Sequence, residues 1–355
     1  MDTQPRRRAR KPLWLVIGAA LIGLLVAQLA YWGLHGASTD GRGRAHDKLV
    51  SLRTVATIRV GRGPEGIALD AAGQRLYTAD GDDNTVSVIN TATNTLVATI
   101  RVGQDPRAVA LDANRHTLYA INTGSDTVSV IDTLTNAVTA AIQVDSIPLR
   151  AAVDSSRNLV YVSAWGNVTV VDGNTRTVTK KLPPNDAFDV ALDPEGATLY
   201  TYSASTPGTV AVVDTRTGNV LRMITTTYLP RGMAVDPATR TLYLTNAEPG
   251  PGYFNAGTSK GIVLTTINAD TPQTFEIPLG RPEIATGIAV DPHNHDLCIT
   301  TESDHVDVVD PGGRKGLATA TVGRYPGGPV LDTQRRILYT ANLWDDTVSV
   351  VDYNT

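Results

Sequence analysis

From Pro64 onward the chain repeats one unit. A copy running from Pro64 to Gly103, PEGIALDAAGQRLYTADGDDNTVSVINTATNTLVATIRVG, is followed from Pro106 by PRAVALDANRHTLYAINTGSDTVSVIDTLTNAVTAAIQV. Each copy holds four short runs of alternating or β-branched residues separated by turn residues, the pattern of four strands. Three columns count the copies. An aspartate ends the first strand at Asp70, Asp112, Asp154, Asp193, Asp236, Asp291 and Asp332. The second strand carries Tyr77, Tyr119, Tyr161, Tyr200, Tyr243, Cys298 and Tyr339. The third strand ends at Asn90, Asp132, Asp172, Asp214, Asn268, Asp310 and Asp352. Each column has seven members, mostly about 40 residues apart.

Four strands repeated at that period predict an all-β, seven-bladed propeller of four-stranded blades. A linear stack would need polar caps, and none is visible. The last copy, ending DTVSVVDYNT, contains three strands, whereas LVSLRTVATIRVG at residues 49–61 matches a fourth strand. The N-terminal strand is therefore expected to complete blade seven and close a ring over residues 48–355, removing exposed strand edges. The aspartates are expected to accept backbone N–H bonds two residues on and fix the turns. The tyrosines are expected to pack between blades, with Cys298 a buried, inert occupant of a tyrosine slot.

The repeat resembles the YVTN-type β-propeller family of YncE-like periplasmic proteins and archaeal surface-layer proteins. The resemblance rests on RLYTAD, TLYLTN and ILYTAN followed by TVSVIN, TVSVID and TVSVVD, and covers about residues 48–355. It implies the fold and little about function, since members include binding, surface and enzyme-associated proteins.

The N-terminus is different. Residues 12–34, PLWLVIGAALIGLLVAQLAYWGL, contain no charge. At about 1.5 Å per residue they cover the roughly 30 Å hydrocarbon core of a bilayer. Trp14 lies near one end and Tyr31 and Trp32 near the other, as interfacial aromatics do. Residues 1–11 carry Arg6, Arg7, Arg8, Arg10 and Lys11 against Asp2, which predicts a cytoplasmic basic tail, a signal anchor and an extracellular or periplasmic propeller. A cleaved signal peptide is the alternative; it usually has a shorter apolar core and an A-x-A-like site, and His35-Gly36-Ala37 fits that site poorly. Residues 35–47 read as a flexible tether. The tail's net +4 leaves −8 for the rest, so nucleic acid is not an expected partner.

Links between blades share one face with the loops joining second and third strands. That face collects Trp165, Trp344, Phe188, Tyr228, Tyr325, Tyr253 and Phe254, with Arg62, Arg107, Arg150, Arg231, Arg281 and Arg324 in the links and an insertion at 246–260. Variable loops carry function on such scaffolds, although the same aromatics could merely cap the core. The residue entering the innermost strand is Gly66, Ala108, Arg150, Asp189, Gly232, Gly287 and Gly328, so Arg150 and Asp189 are expected side by side near the channel, as an ion pair or as ligand-orienting groups. Arg107, Arg150, Asp189, Arg231, Trp165 and Trp344 are the candidate ligand-binding residues, suited to an anionic or aromatic small ligand, a glycan or a protein partner.

Other signals are weak. Asp80, Asp82 and Asn84 have calcium-loop spacing but lack the glycine and distal glutamate of an EF-hand, and read as a polar turn. His293 and His295 read as turn residues. The single cysteine excludes an internal disulfide and a CxxC site. No catalytic or cofactor motif is present, and no metal or cofactor is expected. The sequence therefore points to a membrane-tethered, non-catalytic binding scaffold. A lactonase-like or lyase-like propeller enzyme working at the channel mouth, or a structural envelope protein, are the alternatives.

Overall fold

A computed structural model describes residues 51–354, apart from 185, 194, 196, 204–207, 227–228, 248–260, 269–270, 280 and 282. The basic tail, the apolar span and the tether lie outside the described residues, as do Tyr228, Tyr253, Phe254 and nearly all of the blade-five insertion. Among the described residues no helix is long and apolar enough to cross a membrane.

The strands form seven four-stranded antiparallel sheets, each a blade. Blades one to six span residues 64–101, 106–143, 148–182, 189–226, 229–278 and 285–321. Blade seven combines Val330–Asp332, Ile337–Asn342 and Thr347–Asn354 with the N-terminal strand Ser51–Arg59 on its outer edge. That strand pairs with Thr347–Asn354 from Ser51↔Asn354 to Arg59↔Thr347, as the sequence predicted. Asp352 is not terminal in its strand, because the partner strand extends it to Asn354.

The core lies between the blades. Tyr77 packs with Val109, Leu118 and Ile131 of blade two, Tyr119 with Val160 and Val162 of blade three, and Tyr339 with Leu76 and Ile89 of blade one. Cys298 takes the same slot against Leu338 and Val351, and burial pushes its thiol pKa up, which keeps it unreactive. Ile58 and Val60 pack into the cluster between blades seven and one.

The aspartate columns do fix the turns, with a difference of register. Third-strand residues such as Asp132 and Asp172 accept N–H bonds from two and three residues on. In the first-strand column Asp70, Asp112, Asp154 and Asp332 accept from three residues on, Asp291 from two, and Asp236 from both.

A further column was not read from the sequence. Asn84, Asp126, Asp304 and Asp346 end the second-to-third-strand loops in the left-handed conformation that Asn and Asp tolerate. Each carboxyl or amide oxygen accepts a backbone N–H of the next link: Asp105 at 2.8 Å, Ile147 at 2.8 Å, Tyr325 at 3.2 Å and Gly63 at 3.1 Å respectively. Asn84 thus has a structural role. Asp80 is fully buried and accepts from the hydroxyls of Thr78, Thr85 and Ser87. Its equivalents Asn122 and Asn342 bond the matching Thr and Ser of their blades. Glycine precedes blades one, two and seven at this level: a Cβ on Gly61 would lie 2.6 Å from the Asp80 carboxylate, one on Gly103 2.7 Å from the Asn122 amide and one on Gly323 2.6 Å from the Asn342 amide.

Candidate ligand-binding site

Two adjacent positions at the entry of each innermost strand shape the channel mouth. The outer one follows the opening proline in most blades and is Glu65, Arg107, Leu149, Phe188, Arg231, Thr286 and Gly327. The inner one is Gly66, Ala108, Arg150, Asp189, Gly232, Gly287 and Gly328. The pairing register slips here in five blades, leaving Arg107, Leu149, Arg231 and Thr286 among the residues without a ladder partner. Such bulges re-aim side chains. The inner ring is tight: a Cβ on Gly287 would lie 2.3 Å from the Gly328 Cα, and one on Gly66 2.5 Å from that of Ala108. Gly66 and Gly287 therefore have no room for a side chain, whereas a Cβ on Gly328 would meet nothing within 4 Å; Arg150 and Asp189 depart from the small residues that fill the rest of the ring.

A cavity of about 390 Å³ opens at this mouth. Glu65, Arg107, Arg150, Arg231, Tyr325 and Trp344 are among the residues that line it. Space exists because blades six and seven contribute Ala285, Thr286, Gly327 and Gly328, which are small. Four of the six candidates from the sequence, Arg107, Arg150, Arg231 and Trp344, thus line one cavity. Asp189 and Trp165 do not line it.

Arg150 does not pair with Asp189, as the sequence had suggested. Its Nη2 lies 2.7 Å from Glu65 Oε1, across two blade boundaries, and its Nη1 donates to the Leu149 carbonyl. Burial works against the Arg150 charge, but Glu65 and then Asp189 hold its pKa above the ordinary guanidinium value. Asp189 acts on Arg150 at longer range. Burial pushes the Asp189 carboxyl up to about 6, against the pull of Arg150 and of the Val190 N–H that it accepts. Arg107 bonds Asp105 through Nε at 3.0 Å, while its Nη1 stands 3.8 Å from Glu65 Oε2. Arg231 faces Glu302 at 3.9 Å. Glu302 also accepts from the Tyr325 hydroxyl, whose pKa is raised by burial and then by Glu302.

Sequence reasoning missed Glu65 and Glu302. Glu65 had a signal, because it occupies the same column as Arg107 and Arg231.

The two exposed tryptophans separate. Trp344 stacks on Tyr325 with ring centroids 4.8 Å apart at the cavity. Trp165 leans on Phe188 at 5.5 Å, and Phe188 stacks on Tyr202, whose hydroxyl donates to the Arg231 carbonyl. Burial, then Asp189, raises the Tyr202 pKa. The other link arginines are committed elsewhere. Arg62 and Arg324 grip Asp83 and Asp345 through both backbone N–H and Nε, and Arg281 binds Asp307 and Glu283. His295 lies in a left-handed turn with Nδ1 2.6 Å from Asp236, a turn role as expected. Among the described residues no group of three or more His, Cys, Asp or Glu is placed to hold a metal ion.

Fold and site together define a seven-bladed β-propeller with one charged, aromatic channel mouth. By sequence the chain matches no family profile and no curated protein. Among solved structures, it is similar to a chain of Kuenenia stuttgartiensis hydrazine synthase, with TM-score 0.74 and 19% identity over 81% of this chain and 95% of that one. It is also similar to the Myceliophteria thermophila Cps50 (Swd1) β-propeller domain, with TM-score 0.69 and 11% identity over 85% of this chain and 99% of that one. At these identities the likeness establishes the fold alone.

Proposed function

We propose that this chain is a YVTN-type propeller, tethered to a membrane by residues 12–34, that binds a ligand or partner outside the cytoplasm through its channel mouth without catalysis. The observation that carries the binding role is the cavity itself. Three guanidinium groups line it with one carboxylate, Glu65, beside an exposed indole, while Asp105 and Glu302 pair with Arg107 and Arg231 outside the lining. Guanidinium forks recognise carboxylate and phosphate, and an indole face recognises flat apolar groups. The acidity of the body does not oppose this, because local potential survives within a Debye length of about 8 Å. The uncharged span behind an arginine-rich tail supports the tether and the topology.

The test is a ligand screen of the full chain, repeated on the Arg107→Ala/Arg150→Ala/Arg231→Ala variant. Any ligand of the mouth should lose about tenfold or more in affinity, since one charge-assisted contact contributes roughly 1.5–3 kcal/mol. Unchanged affinity with an intact fold would move the site to another surface.

A further inference from the structure

We propose that Arg107 and Arg150 form an oxyanion site which Glu65 fills in this structure, and that the ligand is a small aromatic carboxylate or phosphate that takes the place of Glu65 and lays its ring against Trp344. The inference rests on the binding role of the mouth proposed above and specifies what binds there.

Glu65 belongs to blade one, yet its two oxygens face guanidiniums of two other blades. Oε1 is 2.7 Å from Arg150 Nη2 and Oε2 is 3.8 Å from Arg107 Nη1. Each guanidinium is held from behind: Arg150 through Nη1 on the Leu149 carbonyl, Arg107 through Nε on Asp105. The remaining N–H groups are thereby aimed at one spot, the arrangement that receives a planar oxyanion with little reorganisation. The occupant can leave. The Glu65 side chain is about a quarter exposed, at 24%, and sits at an open rim, so it can turn into solvent.

Exchange of one carboxylate for another gains little Coulomb energy, so the rest of the ligand must supply the affinity. Trp344 supplies the surface for it. The residue is 60% exposed and its ring stacks on Tyr325. Offset stacking adds about 0.5–1.5 kcal/mol beyond area burial. A cavity of about 390 Å³ is near the lower end of small-molecule sites, which run from roughly 300 to 1,000 Å³. That size suits a single ring system with one anionic group. Neither a bare anion nor a neutral ring satisfies both halves of the site.

The experiment is calorimetric titration of the full chain in detergent with phenyl phosphate, benzoate, inorganic phosphate and benzyl alcohol, against wild type and Glu65→Gln. Phenyl phosphate or benzoate should bind more tightly than inorganic phosphate or benzyl alcohol, and the preferred one identifies the anion. Glu65→Gln should tighten the aromatic anions roughly tenfold, by removing the competing charge, and leave benzyl alcohol unchanged. Benzyl alcohol binding as well as the anions, or aromatic-anion affinity unmoved or weakened in Glu65→Gln, overturns the exchange while leaving the mouth a binding site. Absence of heat from all four probes with both proteins overturns the assignment of ligand class, and the broader screen with the triple arginine variant then decides the binding role separately.

Discussion

The seam between blades seven and one and the mouth of the channel are built from the same repeat, and they differ in how far their polar groups satisfy one another. At the seam, Asp346 binds the Gly63 N–H as Asn84 and Asp126 bind the links at other seams, and Ile58 and Val60 fill the space behind it. The first and last described strands meet there, yet the contact is that of any other blade junction. At the mouth the repeat is broken. Glycine or alanine gives way to Arg150 and Asp189, and charges from blades one, two and three meet across the opening. Where the columns agree, side chains serve stability; where they depart, a cavity lined by charge and aromatic surface results. This contrast is what makes the mouth the candidate site.

Removing the seam should have the largest effect. Deletion of residues 48–60 takes away eight paired positions and the buried Ile58 and Val60. Burial of two such side chains contributes about 1.5–3 kcal/mol each, and the lost hydrogen bonds about 1 kcal/mol apiece. A loss of at least about 5 kcal/mol is expected, lowering Tm by roughly 10 °C or more. The bared edge of blade seven should also promote aggregation. Deletion of residues 1–34 should leave Tm unchanged. Equal melting of the two deletion proteins, by calorimetry, would show that the seam is not like the other junctions.

A smaller effect tests one column within the scaffold. Asp80 stands where Asn122 and Asn342 stand in other blades, and burial pushes its carboxyl up to about 6 despite three hydroxyl donors. A carboxyl whose pKa is higher folded than unfolded binds extra proton in the folded state between about pH 4 and 6. Stability therefore falls as pH rises through that window, and the penalty is complete above it. Asp80→Asn should stabilise the propeller by about 3 kcal/mol at pH 7.5, with little effect at pH 4, measured by denaturant titration at both. A gain of the same size at both pH values would mean that packing, not charge, separates the two residues.

The repeat columns made the fold legible because every blade must solve the same packing problem. Arg107 and Arg231 stood out for the same reason, as charged side chains in a column of links. Glu65 did not, although it shares that column, because one more acidic residue in an aspartate-rich repeat draws no notice. The pairing of Arg150 was misread for a geometric reason. Alignment gives neighbours around the ring, whereas Glu65 reaches Arg150 along a chord that skips blade two. Alignment also assigns a loop to a face without its distance from the axis, so Trp165 and Trp344 looked equivalent. The left-handed Asn84, Asp126 and Asp304 at the loop ends bond a backbone N–H 21 residues on, in the next link, so their role lies beyond the local turn from which the other aspartate columns could be read.

The two tryptophans provide the finest test of the contrast. Both belong to second-to-third-strand loops of one face, and both are exposed, Trp165 at 53% and Trp344 at 60%. Neither is needed for the core, so alanine at either position should leave Tm nearly unchanged. Their neighbours differ. Trp344 borders the cavity and stacks on Tyr325, whereas Trp165 rests on Phe188 outside the lining. Loss of an aromatic contact costs about 0.5–1.5 kcal/mol, so Trp344→Ala should weaken phenyl phosphate binding roughly threefold to tenfold. Trp165→Ala should not change it. Calorimetric titration of the two variants side by side reads the difference directly. Equal losses would mean that the ligand spans the face from blade three to blade seven, and the site would then be the whole face instead of the mouth.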